Sequence, residues 1–221
     1  MVRVDPRAPD PAVVAEAAEA LRGGGLVAFP TETLYALGAD PFYPGALGRV
    51  FAAKGRDAAK AVSVLLADAG LAVALAAALP PAARALMDRF WPGPLTLVIP
   101  PAAGMPPALA PPGGGIGLRV PGDVLARAIL RAVGGPVVGT SANRAGGPEP
   151  RDAASVLRQV GRHLALLLDG GRTPVGVPST VVDCTLHPPR LIRSGALPLE
   201  VLQAFLPEIV AGPPSAESRK W

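Results

Sequence analysis

A single cysteine, Cys184, in 221 residues leaves no internal disulfide to staple the chain, so its stability must come from a packed core. The two histidines, His163 and His187, lack the spacing of a metal pair. Aromatic residues make up only 4%, too few for a continuous platform on which nucleic-acid bases could stack; Ala, Val and Leu must build the core. Lysine is nearly missing: Lys54, Lys60 and Lys220 are the whole set, and two of them fall in one short segment. Long apolar runs are missing as well. The Ala-rich stretch 71–79 is too short to span a bilayer, and Arg3, Asp5, Arg7 and Asp10 interrupt any signal-peptide pattern near Met1. These absences argue against a membrane or secreted role, and the cytoplasm is the expected compartment.

What is present is apolar bulk: 50% hydrophobic residues, enough for one large α/β domain or two small ones. The net charge of +4 suits an anionic ligand without requiring nucleic acid. Asp10, Pro11 and the helical spacing after them predict a helix over 11–21, closed by Gly23-Gly24-Gly25. Residues 26–29 read as a buried strand that stops at Pro30, which places Thr31 to Tyr35 at a strand end and at the start of a turn or helix. Further helices are predicted over 44–53, 81–90, 123–133, 153–160 and 199–205. Strands are predicted over 61–66, 95–99, 116–120, 137–140, 164–168, 179–184 and 191–193, with 54–60 and the Pro/Gly-rich 100–115 as connectors. Helices and strands intermix without a repeat. The expected fold is therefore one α/β domain on an open, twisted mixed sheet, residues 1–210, with 211–221 as a polar, disordered tail.

Five polar clusters stand at predicted strand ends, where α/β folds present ligand groups. Thr31-Glu32-Thr33-Leu34-Tyr35 packs two hydroxyls, a carboxylate and a phenol into one turn; a helix cap formed by Thr31 or Thr33 is the competing reading. Lys54-Gly55-Arg56 with Lys60 offers an Arg fork and Lys point charges that match phosphate oxygens, or a solvated surface. Arg119 sits inside an apolar strand and needs a partner, either a substrate carboxylate or a structural Asp or Glu. Thr140-Ser141-Ala142-Asn143 ends a buried strand with donors and acceptors, or holds a tight turn. Ser179-Thr180 and Arg193-Ser194-Gly195 complete the set. Cys184 reads as a small buried hydrophobe.

Taken in order, Pro30-Thr31-Glu32-Thr33-Leu34-Tyr35, Lys54-Gly55-Arg56, Pro92-Gly93-Pro94-Leu95-Thr96, Arg119-Val120-Pro121, Ser141-Ala142-Asn143, Pro178-Ser179-Thr180-Val181-Val182-Asp183 and Arg193-Ser194-Gly195 resemble the motif series of the YrdC family, over residues 10 to 205. The resemblance implies an open α/β structure around a large basic cavity and the synthesis of threonylcarbamoyl-AMP from L-threonine, bicarbonate and ATP with Mg²⁺. That product serves the threonylcarbamoyl modification of adenosine 37 in ANN-decoding tRNAs, completed by downstream tRNA threonylcarbamoyltransferase proteins. By the same resemblance Thr33, Arg119, Ser141 and Ser179 bind L-threonine. Arg56, Lys60, Asn143, Arg151 and Arg193 contact ATP, Lys54 and Arg56 serve catalysis, and no protein-held metal is implied. The chain departs from the family pattern at Asp57 and Ala61, where proline is usual, at Ala36 in place of glycine, and at Arg151 in place of a small hydroxyl residue. Some family members carry an extra C-terminal domain; the expectation here is the short form without it.

Two other functions compete. A double-stranded RNA or tRNA-binding module would use the basic cavity for a phosphate backbone and bind in a salt-dependent way, indifferent to ATP and threonine. The related carbamoyl-transfer domain of hydrogenase maturation proteins normally lies in a longer chain with zinc-finger-like cysteines, which this sequence lacks.

Overall fold

In a computed structural model of the chain, which describes residues 1–55, 62–111 and 114–212, short strands alternate with helices of about two to three turns. From the N-terminus run β1 (Val2–Arg3), α1 (Pro11–Arg22), β2 (Val27–Phe29), β3 (Ala36–Ala39), α2 (Ala46–Lys54), β4 (Val64–Leu65), α3 (Gly70–Leu75), α4 (Pro81–Phe90) and β5 (Leu95–Ile99). Then follow β6 (Ile116–Arg119), α5 (Val124–Val133), β7 (Val137–Ser141), α6 (Ala153–Val160), β8 (Leu166–Asp169), β9 (Thr180–Asp183), β10 (Arg190–Arg193), α7 (Leu199–Phe205) and β11 (Val210–Ala211).

Local chemistry explains the helix ends. Asp10 accepts from the Ala12 amide with Pro11 at the first helical position, and Asp123 accepts from Ala126 N to start α5. Asp152 and Ser155 form a reciprocal capping box at α6. The prediction of helices over 81–90, 153–160 and 199–205 agrees with the observed bounds. Residues 31–35 do not open a helix. They form the connection between β2 and the antiparallel β3, in which Thr31 Oγ1 accepts from the amides of Thr33 (3.2 Å) and Leu34 (3.3 Å) and donates to Leu34 O (2.7 Å). The hydroxyl pins a turn rather than capping a helix.

Among the described residues the strands form one mixed sheet in the order β1-β8-β2-β3-β7-β4-β6-β5-β9-β10-β11. Side chains alternate across it. Ala28, Leu37, Val64, Leu97, Leu118, Val138 and Val182 face a large apolar cluster completed by Val50 and Phe51 of α2, Leu86 and Met87 of α4, Val156 and Val160 of α6, and Leu202 of α7. Val27, Phe29, Ala36, Leu65 and Val137 face the other way and meet Ala17 and Leu21 of α1 with Leu125 and Ile129 of α5. Strands β6, β5, β9 and β10 contribute nothing to this second cluster. One face of the sheet is thus covered along most of its width, while α1 and α5 cover only part of the other. Past β4, that second face carries the buried Val98 and Val181 together with polar side chains such as Thr96 and Arg119.

The chain stays in the sheet through Ala211, which pairs with Leu191, so the last strand extends one residue into the segment expected to be a tail. No helix among the described residues is long and apolar enough to cross a membrane.

Candidate functional site

Where α1 and α5 stop covering the sheet, an open pocket of about 650 Å³, solvent mouth included, lies against β3, β7, β4, β6 and the turns before β9 and after β2. The two-residue alternation of the strands aims its residues there. Leu118 faces the large core, so its neighbour Arg119 faces the pocket; Ala36 pairs with Ser141 across β3 and β7, and both line it. Its charged lining residues are two arginines, Arg119 and Arg193.

Arg119 is 6% exposed, and a guanidinium so deeply placed must be compensated. Its Nη2 donates to Glu32 Oε1 at 2.6 Å and to Thr33 Oγ1 at 3.1 Å, while Nε donates to Gly93 O at 3.1 Å. The partner demanded by a charge in an apolar strand is therefore Glu32, from the turn after β2. Glu32 Oε2 is buried without a hydrogen-bond partner. A pair with one orphaned oxygen gives little net stability and a great deal of orientation.

The hydroxyls around Arg119 already point their protons into the protein. Thr33 Oγ1 lies 2.9 Å from Thr31 Oγ1, and since Thr31 donates to Leu34 O, Thr33 is the donor of that pair and keeps acceptor capacity for a ligand. Ser141 Oγ donates to Asn143 Oδ1 at 2.6 Å and is likewise left as an acceptor. Ser179 Oγ accepts from Arg193 Nη2 at 3.0 Å and bonds Thr96 Oγ1 at 2.9 Å. Gly195 permits this arrangement, because a Cβ there would stand 2.4 Å from Pro178 O and 2.5 Å from Ser179 C. Two cations beside hydroxyl acceptors give the pocket groups that can meet an anion and hydrogen-bond donors next to it.

Of the residues singled out from sequence, Thr33, Arg119, Ser141, Ser179 and Arg193 line one pocket. Lys54 and Asn143 stand behind it. Lys54, 3% exposed, donates from Nζ to Ser141 O (2.5 Å), Asn143 O (3.0 Å) and Asn143 Oδ1 (3.3 Å), which fixes the turn that presents Ser141. Asn143 Nδ2 donates to Gly147 O. Lys54, for which a catalytic role was expected, holds that turn through these contacts. Arg151 is exposed, does not line the pocket, and lies beside Gly176, whose added Cβ would come within 3.2 Å of its Nε. Arg56 and Lys60 fall outside the described residues. Sequence reasoning passed over Ala36, Ser63 and Leu65 as lining residues; the signal for Ser63 was its place as the one polar residue in an apolar run, and its Oγ donates to Gly139 O at 2.6 Å. Tyr35 is structural: its hydroxyl donates to Gly171 O at 2.6 Å, and burial, with Asp169 nearby, pushes its ionisation well above the ordinary tyrosine range.

The Sua5_yciO_yrdC family model, described as telomere recombination, matches residues 19–195. The chain is a member of the Sua5/YciO/YrdC family. Over 193 residues it is 39% identical to the threonylcarbamoyl-AMP synthase of Pyrococcus abyssi, covering 87% of this chain and 57% of that one. It is 38% identical over 197 residues to the threonylcarbamoyl-AMP synthase of Bacillus subtilis, covering 87% and 56%. The chain therefore spans little more than half the length of these two curated relatives. The crystal structure of P. abyssi Sua5 complexed with L-threonine superposes with a TM-score of 0.92 at 37% identity, covering 96% of this chain and 62% of that one. The open mixed α/β sheet expected of this family member is the one observed.

Proposed function

We propose that this chain is an L-threonylcarbamoyladenylate synthase, a nucleotidyltransferase acting in the cytoplasm to supply threonylcarbamoyl-AMP for tRNA modification by downstream transferases. The observation that carries the reading is the convergence of Thr33, Arg119, Ser141, Ser179 and Arg193 on one pocket, in a family member similar to a Sua5 that has been crystallised with L-threonine.

The chemistry follows from the donor pattern. Arg119, held by Glu32 and Gly93, receives the amino-acid carboxylate through a charge-assisted contact. The acceptor lone pairs of Thr33 and Ser141 accept hydrogen bonds from the hydroxyl and ammonium of the substrate. The ammonium gives up one proton to solvent, and the neutral amine adds to CO₂ with release of a second proton, or to bicarbonate with loss of water, to give a carbamate. A carbamate oxygen attacks the α-phosphorus of ATP in line, and the bond to the β-phosphate oxygen breaks to release pyrophosphate. No protein nucleophile is needed; positioning and fixed positive charge supply the catalysis. Arg193, Arg56 and Lys60 are assigned to the ATP phosphates by family resemblance. Mg²⁺ enters this scheme bound to ATP as part of that substrate.

Isothermal titration of the wild type, Arg119→Ala and Arg56→Ala with L-threonine and then ATP tests the assignment. The first variant is expected to lose threonine binding and the second ATP binding. Two variants that bind both ligands like the wild type would overturn the site map.

A further inference from the structure

The pocket's polar lining is interrupted by an apolar wall that the proposed chemistry leaves unused. Leu65 of β4 stands in register with Arg119 of β6 on one side and with Val137 of β7 on the other. Its side chain runs over Gly139 so closely that a Cβ added there would lie 2.2 Å from Leu65 Cγ and 2.5 Å from Cδ1. Leu65 is 3% exposed, packed in the cluster with Ala36 and Val137, yet it lines the pocket. The isobutyl group therefore fills the wall between the Arg119 guanidinium and the Ser141 hydroxyl, and glycine at 139 is what leaves room for it. Ala36, opposite Ser141, extends the same apolar surface.

We infer that Leu65, seconded by Ala36, is the residue that selects threonine over serine by reading the β-methyl group; the inference rests on the threonine reading above. The β-carbon of threonine carries a hydroxyl, a methyl and a hydrogen. With the carboxylate at Arg119 and the hydroxyl on the acceptors of Thr33 and Ser141, the methyl meets the side chains of Leu65 and Ala36, which have no polar atom to offer. Serine leaves that wall facing a void without dispersion partners. L-allo-threonine, with hydroxyl and methyl exchanged, turns its hydroxyl toward the apolar wall, where it finds no hydrogen bond.

Calorimetric titration of the wild type and Leu65→Ala with L-threonine, L-serine and L-allo-threonine tests this, with thermal melting to confirm folding. The wild type is expected to prefer threonine over serine by at least about ten-fold, the discrimination one methyl contact in an apolar pocket supports. Leu65→Ala is expected to compress that ratio to about two-fold or less, through weaker threonine binding with serine little changed. Should Leu65→Ala fail to fold, Leu65→Val, which removes one methylene, carries the same test with a smaller compression. A variant that keeps the wild-type ratio, or a wild type that binds L-allo-threonine as well as threonine, overturns the inference and leaves the threonine reading intact. A wild type that binds none of the three overturns the threonine reading itself.

Discussion

Glu32 shows how a pocket cation is held in place. Its carboxylate compensates Arg119 at 2.6 Å while both side chains are largely withdrawn from solvent, 17% and 8% exposed. Removing one member of such a pair strands the other charge. Glu32→Ala is expected to destabilise the fold by about 3–5 kcal/mol, whereas Glu32→Gln, which keeps an oxygen acceptor for Nη2, is expected to cost less; urea unfolding of the two variants gives the comparison. Cys184 offers a second check at this scale. It is 3% exposed, and burial, reinforced by Asp183 and Glu208, pushes its thiol up to about 12, so thiolate is scarce at pH 8. Labelling by a thiol reagent at that pH is expected to be slow in the native protein and complete once urea unfolds it. Rapid native labelling would contradict the packing described. The roles of these residues were unevenly legible. Thr33, Ser141 and Ser179 announced themselves as hydroxyls at the ends of apolar runs. Glu32 did not, because its partner lies 87 positions away and only the sheet brings the two together.

Single elements were readable wherever local chemistry decides them. Asp152 and Ser155 mark the start of α6 within a few residues of sequence, and the observed capping box uses both. The Asp152 carboxyl is held below its ordinary value of 3.8, chiefly by the Ser155 amide that donates to the ionised form. A carboxyl depressed in the folded state stabilises the fold above its unfolded value and loses that contribution as pH falls through the lowered folded value. Asp152→Ala is therefore expected to cost about 1 kcal/mol at neutral pH. The difference from wild type should shrink below about pH 3.8, as read from urea melts at several pH values; a difference independent of pH would contradict the cap. By contrast β3 passed unseen. Its sequence Ala36-Leu37-Gly38-Ala39 has no β-branched residue and no polar alternation, because all four positions are buried; its strand character comes from its neighbours β2 and β7. Strands β1 and β11, of two residues each, are too short for any periodicity. Gly139 belongs to the same lesson: alanine there would drive Leu65 into the pocket, and titration of Gly139→Ala is expected to show weakened threonine binding.

Across the whole molecule, the site is a consequence of incomplete coverage. Helices cover one face of the sheet along most of its width and only part of the other, so side chains of β3, β7, β4 and β6 line an open pocket instead of a core. The fold class was legible from intermixed helical and strand patterns, but the strand order was not. Neighbours such as β3 and β7, or β5 and β9, are set by long-range pairing that no local pattern encodes. That order is what joins Thr33, Arg119, Ser141, Ser179 and Arg193, five positions scattered along the chain, into one receptor. The most direct test of the account is pyrophosphate release by the purified chain supplied with ATP, Mg²⁺, L-threonine and bicarbonate. Release is expected to require both threonine and bicarbonate and to fall at least about a hundred-fold in Arg119→Ala, as for loss of a strong charge-assisted contact. Release that persists unchanged without threonine, or none at all from a folded wild type under these conditions, would contradict it.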